Sequence, residues 1–299
     1  MSLYTDQSLS KKSPFELSNH EAYRSWRDHK MQYLKPRLEA LKVSIKDPYQ
    51  LSQDEKKAVI ERCEHYNMAV YQLADTSIKD KSLVHALGKQ FGLENLDSNL
   101  RSDEDSVTSL EVRSQSGNQY IPYTDKPLSW HTDGYYNFLD RQIYGIVMHC
   151  VSPAAEGGMN SLMNPESVYI SLRDENPGYI EALMHPRAMT IPDNVEQGEV
   201  IRAEQSGPVF MVKTDGRLHM RYSARKRNIV WRDNNETREA VQLINDLLAD
   251  QDNILKLDSR AGQGVICNNV LHNRSGFRNL GSHRRLVYRA RYFDAVKDA

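Results

Sequence analysis

Three side chains that can bind one metal ion constrain the fold of this 299-residue chain more than any other feature. His131 and Asp133 stand two positions apart, and His272 follows far downstream. On an extended strand, residues two apart point to the same side, so the imidazole and the carboxylate converge. A fold that uses all three ligands must therefore bring a late strand end beside the strand that carries His131.

The complete set is more specific than its parts, because His-x-Asp occurs by chance in many chains. Arg285 follows His272 by 13 residues within a basic run over 283–291. Two imidazoles and one carboxylate are the ligand set of non-haem Fe(II) oxygenases, which keep coordination positions open for a cosubstrate and O₂. A zinc hydrolase that uses the same ligands and a water molecule is the alternative.

Charge and cysteine content favour an intracellular protein with a small-molecule partner. The chain has 39 Lys and Arg against 40 Asp and Glu, a net charge of −1, which gives no reason to expect nucleic acid or an anionic membrane. No apolar run approaches a membrane span, and residues 1–7 do not resemble a signal peptide. Three widely spaced cysteines fit a reducing compartment, so we expect a cytoplasmic location. A homo-oligomer is compatible with these features.

The order of predicted elements indicates an α+β fold. Helices are predicted before residue 95, among them 20–43 with a break at Pro36 and 52–66 with a capping box of Ser52 and Glu55. Strands dominate after residue 120. The remaining predictions are strands at 68–73, 143–151, 253–257, 264–269 and 284–293, helices at 80–91, 165–172, 177–184 and 235–249, and a hairpin at Asp215-Gly216.

This order predicts a double-stranded β-helix (jelly roll) core with flanking N-terminal helices and a helical insert. We expect a flexible N-terminus over 1–18 and a single domain over 19–299. Its helical part spans 19–95, and its core spans about 120–295 with an insert at about 165–250. The polar segment 95–118 is predicted to be a loop, for which a lid and a plain connection are equally open.

The chain resembles the Fe(II)/2-oxoglutarate dioxygenases over roughly residues 65–295, in the branch of taurine dioxygenase and γ-butyrobetaine hydroxylase. The motifs that carry the resemblance are the runs 123–133 and 269–274, the pair Gly157-Gly158, and Arg284-Arg285. The resemblance implies Fe(II), 2-oxoglutarate and O₂ as cofactor and cosubstrates, with His131, Asp133 and His272 as the iron ligands.

The same resemblance assigns the 2-oxoglutarate contacts. Arg285 would bind the distal carboxylate through two parallel hydrogen bonds, which a lysine could not reproduce. Where the family has a hydroxyl side chain after the glycine pair, this chain has Asn160, or Ser161 if the alignment shifts by one residue.

Three residues are predicted to contact the substrate: Tyr123, Arg289 and Arg291. Tyr123 matches one wall of the aromatic cage of butyrobetaine hydroxylases, but Arg291 stands where a second wall is a tyrosine, and it would repel a quaternary ammonium. Arg289 has the spacing of the arginine that holds the sulfonate in the taurine enzyme. We therefore expect an anionic group anchored by Arg289. The alternatives are that Arg289 and Arg291 form structural ion pairs, or that Tyr135 and Tyr136 complete an amine cage.

The implied reaction is hydroxylation of an unactivated C–H bond in a small metabolite, with release of succinate and CO₂. Asp133 disfavours halogenation, because halogenases of this chemistry leave that ligand position to a halide. Desaturation, a betaine hydroxylase and a non-catalytic cupin-like binding protein remain alternatives.

Several further residues have two interpretations. His149 is interpreted as a core histidine rather than a metal neighbour. Asn268 and Asn269 are interpreted as residues that orient His272. The basic cluster of Arg221, Arg225, Lys226 and Arg227 is interpreted as a solvated face, although Arg221 could reach an acidic substrate.

Overall fold

The computed structural model describes residues 13–98, 106–113, 121–196, 198–225 and 227–298. The chain divides into two compact units. The first unit takes its described residues from 13–34, 165–221 and 228–249, and the second unit takes them from 35–164, 222–227 and 250–298. The second unit contains all three metal-ligand candidates. The single domain over 19–299 stays a prediction.

The helices of the described residues lie mainly before residue 90 and between 165 and 249. They are α1 (His20–Met31), α2 (Leu38–Leu41), α3 (Gln53–Tyr66), α4 (Ser82–Lys89), α5 (Pro165–Glu175), α6 (Pro177–Met184) and α7 (Asn235–Ala249). None of these helices has both the length and the apolar character needed to cross a membrane.

The strands of the described residues are short, and those of the second unit form its two main sheets. They are β1 (Lys42–Ile45), β2 (Met68–Leu73), β3 (Thr108–Leu110), β4 (Leu128–His131), β5 (Gly145–Ser152), β6 (Glu156–Gly157), β7 (Asn160–Met163), β8 (Met189–Ile191), β9 (Asn194–Glu196), β10 (Glu199–Arg202), β11 (Gln205–Gly207), β12 (Phe210–Val212), β13 (Leu218–Met220), β14 (Val230–Trp231), β15 (Leu255–Leu257), β16 (Gln263–Cys267), β17 (Leu271–Arg274), β18 (Phe277–Arg278) and β19 (Leu286–Tyr292).

Two sheets position the site within the described part of the second unit. The larger sheet has the order β1-β2-β16-β5-β19-β3, with β1 and β2 parallel and the other neighbours antiparallel. The smaller sheet has the order β15-β7-β17-β4 and is antiparallel. The chain is thus a mixed α+β protein with several sheets, and β17 brings His272 directly opposite His131 on β4.

The core of the second unit lies between the larger sheet and helices α3 and α4. Ala290 and Tyr292 of β19 are buried there against Leu83, Val84 and Leu87 of α4. Side chains alternate along a strand, so Val287, Arg289 and Arg291 face the other side of the sheet. Val287 packs there with Leu110, Tyr123 and Cys150.

Local sequence signals explain the helix that was predicted most clearly. Ser52 caps α3: its Oγ accepts from the Glu55 backbone N–H, and the Glu55 carboxylate accepts from the Ser52 backbone N–H. This capping box confirms the predicted start of the helix and contributes about 1 kcal/mol to its stability.

The helical segment expected over 20–43 with a break at Pro36 forms two helices on either side of this proline, α1 and α2, and ends at Leu41, where β1 follows from Lys42. One segment differs from the sequence prediction. The predicted loop 95–118 contains β3, which pairs with β19 and is too short to show periodicity. Whether the segment forms a lid or a plain connection depends on residues 99–105 and 114–118, which lie outside the described residues.

In the first unit, α5, α6 and α7 pack together beside three small sheets, β10-β9, β11-β8-β14 and β12-β13. Within the segment predicted to be flexible, Phe15 is buried, with its ring edge-on to Trp26 at 5.0 Å and to Tyr169 at 5.5 Å. Arg173 donates to the carbonyl oxygens of Pro14 and Glu16. Residues 1–12 of that segment lie outside the described residues.

Candidate active site

His131, Asp133 and His272 form a compact cluster of potential metal ligands. One ligand atom from each lies within 4.8 Å of the others, and their residues are only 7%, 4% and 5% exposed. The two imidazole rings have centroids 4.2 Å apart, and His131 Nε2 lies 3.6 Å from Asp133 Oδ1. The cluster is the one predicted from the sequence, and the pairing of β17 with β4 assembles it.

Both imidazoles are oriented for metal binding by backbone carbonyls. His131 Nδ1 lies 2.9 Å from the carbonyl oxygen of Ser129, and His272 Nδ1 lies 2.9 Å from that of Val270. A carbonyl oxygen can only accept, so each Nδ1 carries the proton and each Nε2 keeps its lone pair for a metal. Burial lowers the pKa of His272 to about 4, which keeps this ring neutral.

Asp133 has one engaged and one unengaged carboxylate oxygen. Arg289 Nη1 donates to Oδ1 at 3.1 Å, whereas the buried Oδ2 has no hydrogen-bond partner among the described residues. Burial would raise the pKa of Asp133, but the charge of Arg289 holds it well below the usual value. An ionised oxygen without a partner, beside two imidazoles whose Nδ1 atoms are engaged by backbone carbonyls, fits a divalent cation.

The Asn269 side chain forms hydrogen bonds with both the backbone N–H and the backbone carbonyl oxygen of Asp133. Its Oδ1 accepts from the Asp133 N–H at 2.8 Å, and its Nδ2 donates to the carbonyl oxygens of Asp133 at 2.9 Å and Ile143 at 2.6 Å. Asn269 is 1% exposed and has a left-handed backbone, with φ of 48°. It therefore links the turn before His272 to the other ligand segment, whereas the sequence interpretation had assigned it to His272 itself.

Arg285 is a buried cation with an unused donor. Its Nη1 has no hydrogen-bond partner among the described residues, its guanidinium lies 5.4 Å from the ring centre of Phe277, and burial lowers its pKa. Gly158 lies beside this side chain and has a left-handed backbone, with φ of 77°, that favours glycine. The arrangement fits an anionic group bound against the guanidinium.

Comparison with known proteins identifies the family. The chain matches the family model for taurine catabolism dioxygenases, TauD and TfdA, over residues 30–291. The chain belongs to the TauD/TfdA family. It is an Fe(II)- and 2-oxoglutarate-dependent dioxygenase, with His131, Asp133 and His272 as the iron-binding triad and O₂ as the second cosubstrate of the family.

Individual relatives are distant. The uridine-5′-phosphate dioxygenase of a Streptomyces species is 28% identical over 256 residues, which cover 80% of this chain and 89% of that protein. A taurine dioxygenase from Burkholderia xenovorans is 13% identical with a TM-score of 0.58, over 88% of this chain and 90% of that one.

An asparagine oxygenase in complex with Fe(II), 3-hydroxyasparagine and succinate has the same TM-score of 0.58 at 12% identity. That match covers 84% of this chain and 93% of the asparagine oxygenase. At such low identity, the two structural matches show a shared fold and nothing about the substrate.

Asn160 lines a small cavity together with Met148, Cys150 and Val287. One N–H of its side chain donates to the carbonyl oxygen of Asn273 at 3.1 Å, which leaves a second N–H on the same amide. Cys150 is close enough to Arg285 for the arginine charge to oppose the rise that burial causes in its pKa. The cavity therefore lies near the buried guanidinium.

The three predicted substrate residues have protein partners. Tyr123 is buried, with the guanidinium of Arg113 4.5 Å from its ring centre. Arg289 contacts Asp133, and Arg291 is paired with the buried Asp97 and donates to Tyr136 Oη at 3.0 Å. Both arginines place positive charge around the iron-ligand carboxylate.

Three features of the site were missed from the sequence. They are the Asn269 contacts to Asp133, the pairing of Asp97 with Arg291, and the segment 222–225 beside β4. Asp97 and Arg291 are 194 residues apart, and no periodic or spacing signal connects them. His149 is a core histidine, as interpreted from the sequence. It is fully buried and lies outside the ligand cluster, and its Nδ1 is 3.1 Å from Tyr71 Oη.

Proposed function

We propose that this dioxygenase hydroxylates an unactivated C–H bond of a small anionic metabolite and releases succinate and CO₂. The observation that carries the proposal concerns the tyrosines that could form an amine cage. Tyr123, Tyr135 and Tyr136 are each contacted by an arginine: Arg113, Arg225 and Arg291, respectively. A positive charge at each phenol opposes a quaternary ammonium and favours an anion.

The cosubstrate assignment follows from the unused donors. Arg285 would hold the distal carboxylate of 2-oxoglutarate through its unpartnered Nη1, and the second N–H of Asn160 would add a hydrogen bond from across the neighbouring cavity. A buried guanidinium without an acidic partner is costly, so a ligand carboxylate would stabilise it. We further propose that the larger and smaller sheets of the second unit constitute the double-stranded β-helix.

When bound, Fe(II) with 2-oxoglutarate supplies the oxidising chemistry that consumes O₂. The protein supplies the geometry. His131, Asp133 and His272 would hold the metal, and their burial restricts the access of water. Arg289 balances the charge of Asp133, and Asn269 keeps its backbone in place. The substrate roles of Tyr123, Arg289 and Arg291 stay predictions.

The relative named uridine-5′-phosphate dioxygenase suggests which anion to test first. A phosphate monoester satisfies the requirement for an anionic group, as a sulfonate or a carboxylate would. We therefore propose phosphorylated metabolites as the leading substrate class, with sulfonates and carboxylates next.

The test is succinate formation by the iron-loaded enzyme with 2-oxoglutarate and O₂. Basal turnover without a substrate is expected, and one acidic compound should increase it and appear as a hydroxylated product by mass spectrometry. The panel pairs uridine 5′-phosphate with uridine, and sets taurine and asparagine beside γ-butyrobetaine. Chelation of iron should abolish all turnover.

Two outcomes would contradict the proposal. Absence of succinate with every compound would remove the dioxygenase reaction. Stimulation by γ-butyrobetaine alone would replace the anionic substrate with a betaine.

A further inference from the structure

The segment 222–225 lies antiparallel beside β4, the strand that ends in the iron ligand His131. The Thr132 N–H donates to the Tyr222 carbonyl oxygen at 3.0 Å, and the Ala224 N–H donates to the Trp130 carbonyl oxygen at 2.8 Å. Between these bonds, Ser223 forms a β-bridge with His131. Backbone pairing therefore fixes this segment next to the iron ligand.

The same register decides where Arg225 points. Residues that face each other across a bridge have side chains on the same side of the sheet, and so do residues two apart on one strand. Ser223 and Arg225 are thus on the side of the His131 imidazole. In agreement with this, Arg225 Nη1 donates to Tyr135 Oη at 3.3 Å, and the Tyr135 ring stands edge-on to that of His131 with centroids 6.4 Å apart.

Apart from Arg285, which is assigned to 2-oxoglutarate, three arginines near the iron ligands are engaged by groups of the protein. Arg289 donates to Asp133, and Arg291 is paired with Asp97. Arg274 donates to the carbonyl oxygens of Thr124 and Lys126. Arg221 is fully buried in the first unit and donates to three backbone carbonyl oxygens there, in contrast to its interpretation as part of a solvated face.

Arg225 differs from these arginines in exposure and in partner. It is exposed, and within the described residues its side-chain contact is a phenol rather than a carboxylate or a carbonyl. A phenol oxygen leaves the charge of the guanidinium uncompensated. Its planar fork can therefore take an oxyanion in two parallel hydrogen bonds.

We infer that Arg225, together with the Tyr135 hydroxyl, binds the anionic group of the substrate, and that Arg289 is a positioning residue for Asp133. This inference rests on the proposed function and moves the substrate anchor from Arg289 to the segment beside β4. The ligand chemistry is an oxyanion: a phosphate monoester, a sulfonate or a carboxylate. The substrate lies with that group at Arg225 and its reactive carbon toward the iron ligands.

The test compares Arg225→Ala with Arg227→Ala, a matched control at an exposed position two residues further along the chain. The probe is the acidic compound of the panel that most increases succinate formation. Arg225→Ala should raise its KM by about 10- to 100-fold with little change in kcat, because a lost charge-assisted bond to the substrate weakens binding uniformly. Arg227→Ala should leave KM unchanged.

Three conservative variants sharpen the assignment. Arg225→Lys keeps the charge without the fork, so its KM should lie between those of the wild type and Arg225→Ala. Tyr135→Phe should raise KM by a smaller factor. Arg289→Lys should weaken Co(II) binding, measured by anaerobic titration, because Lys cannot reproduce the contact of Arg289 with Asp133.

Succinate formation by the wild type tests the proposed function separately from the anchor. If the wild type forms no succinate with or without the acidic compounds, the proposed function fails. If Arg225→Ala keeps succinate formation and also keeps the wild-type KM, Arg225 is not the anchor. A rise in KM for Arg289→Lys with unchanged Co(II) affinity would return the anchor to Arg289. Stimulation by uridine or γ-butyrobetaine, but by none of the acidic compounds, would overturn the inference as well.

Discussion

The iron-binding pocket, formed by His131, Asp133, His272 and Asn269, contrasts with the mouth, formed by Tyr135, Ser223 and Arg225. In the pocket every residue is buried, and backbone carbonyls and an amide fix the orientation of each ligand. In the mouth Arg225 is exposed, and its guanidinium contacts Tyr135 through a single hydrogen bond of 3.3 Å. Both regions are attached to the same strand, β4.

This contrast separates a preorganised metal site from an adaptable recognition site. Ligands that are held before the metal arrives bind it without loss of side-chain entropy. An exposed arginine can adjust to the substrate, and its replacement changes specificity at little cost in stability.

The largest loss of activity is expected when a metal ligand of the pocket is removed. His272→Ala should reduce Fe(II) affinity by more than about 100-fold and abolish succinate formation, since it removes one of three ligands. Anaerobic metal titration measures the affinity directly. His149→Gln, at a buried histidine outside the cluster, is the matched control and should bind metal normally. Equal metal loss in both variants would refute the ligand assignment.

The next effect concerns the cosubstrate. Arg285→Ala should raise the KM for 2-oxoglutarate by about 100-fold and leave metal affinity unchanged, because a buried charge-assisted pair is lost. Its neighbour Arg284 is exposed, so Arg284→Ala serves as the control. Wild-type basal turnover in Arg285→Ala would remove Arg285 from the 2-oxoglutarate site.

A smaller change is expected from the residue that supports the pocket. Asn269→Ala should weaken metal binding by about 10- to 100-fold, as loss of an outer-shell partner does. Asn268→Ala replaces the same residue type one position earlier, where the side chain contacts Asn67 and Val296 instead of Asp133. If the two variants lose metal affinity equally, the contacts to Asp133 are not the cause.

The smallest effect concerns stability and pH outside both regions. Burial lowers the pKa of His149 to about 4, so between about pH 6.5 and pH 4 the unfolded chain binds a proton that the folded chain does not. The free energy of unfolding should therefore decrease by roughly 2–3 kcal/mol as the pH falls through this range. Denaturant titration should show a weaker pH dependence in His149→Gln than in the exposed control His283→Gln. Identical slopes would contradict this interpretation.

Much of the pocket was predictable because its signals are local or ordered along the chain. His131 and Asp133 share a side of one strand by the alternation of an extended backbone, and Ser52 with Glu55 predicts the start of α3. Arg289 and Arg291 were weighed as substrate residues or as ion-pair partners. Their acidic contacts, Asp133 and Asp97, come from other elements and were visible only in the folded chain.

The amino-acid sequence by itself determined the chemistry: which side chains can ligate iron, in what order they occur, and that a guanidinium follows the last of them. Only the tertiary structure decided which arginines pair with acidic groups of the protein and which keep a donor for a ligand. A guanidinium binds whichever acceptor the fold brings within about 3 Å. Such proximity arises from strand pairing between distant segments, as with His131 and Ser223, which spacing along the chain does not encode.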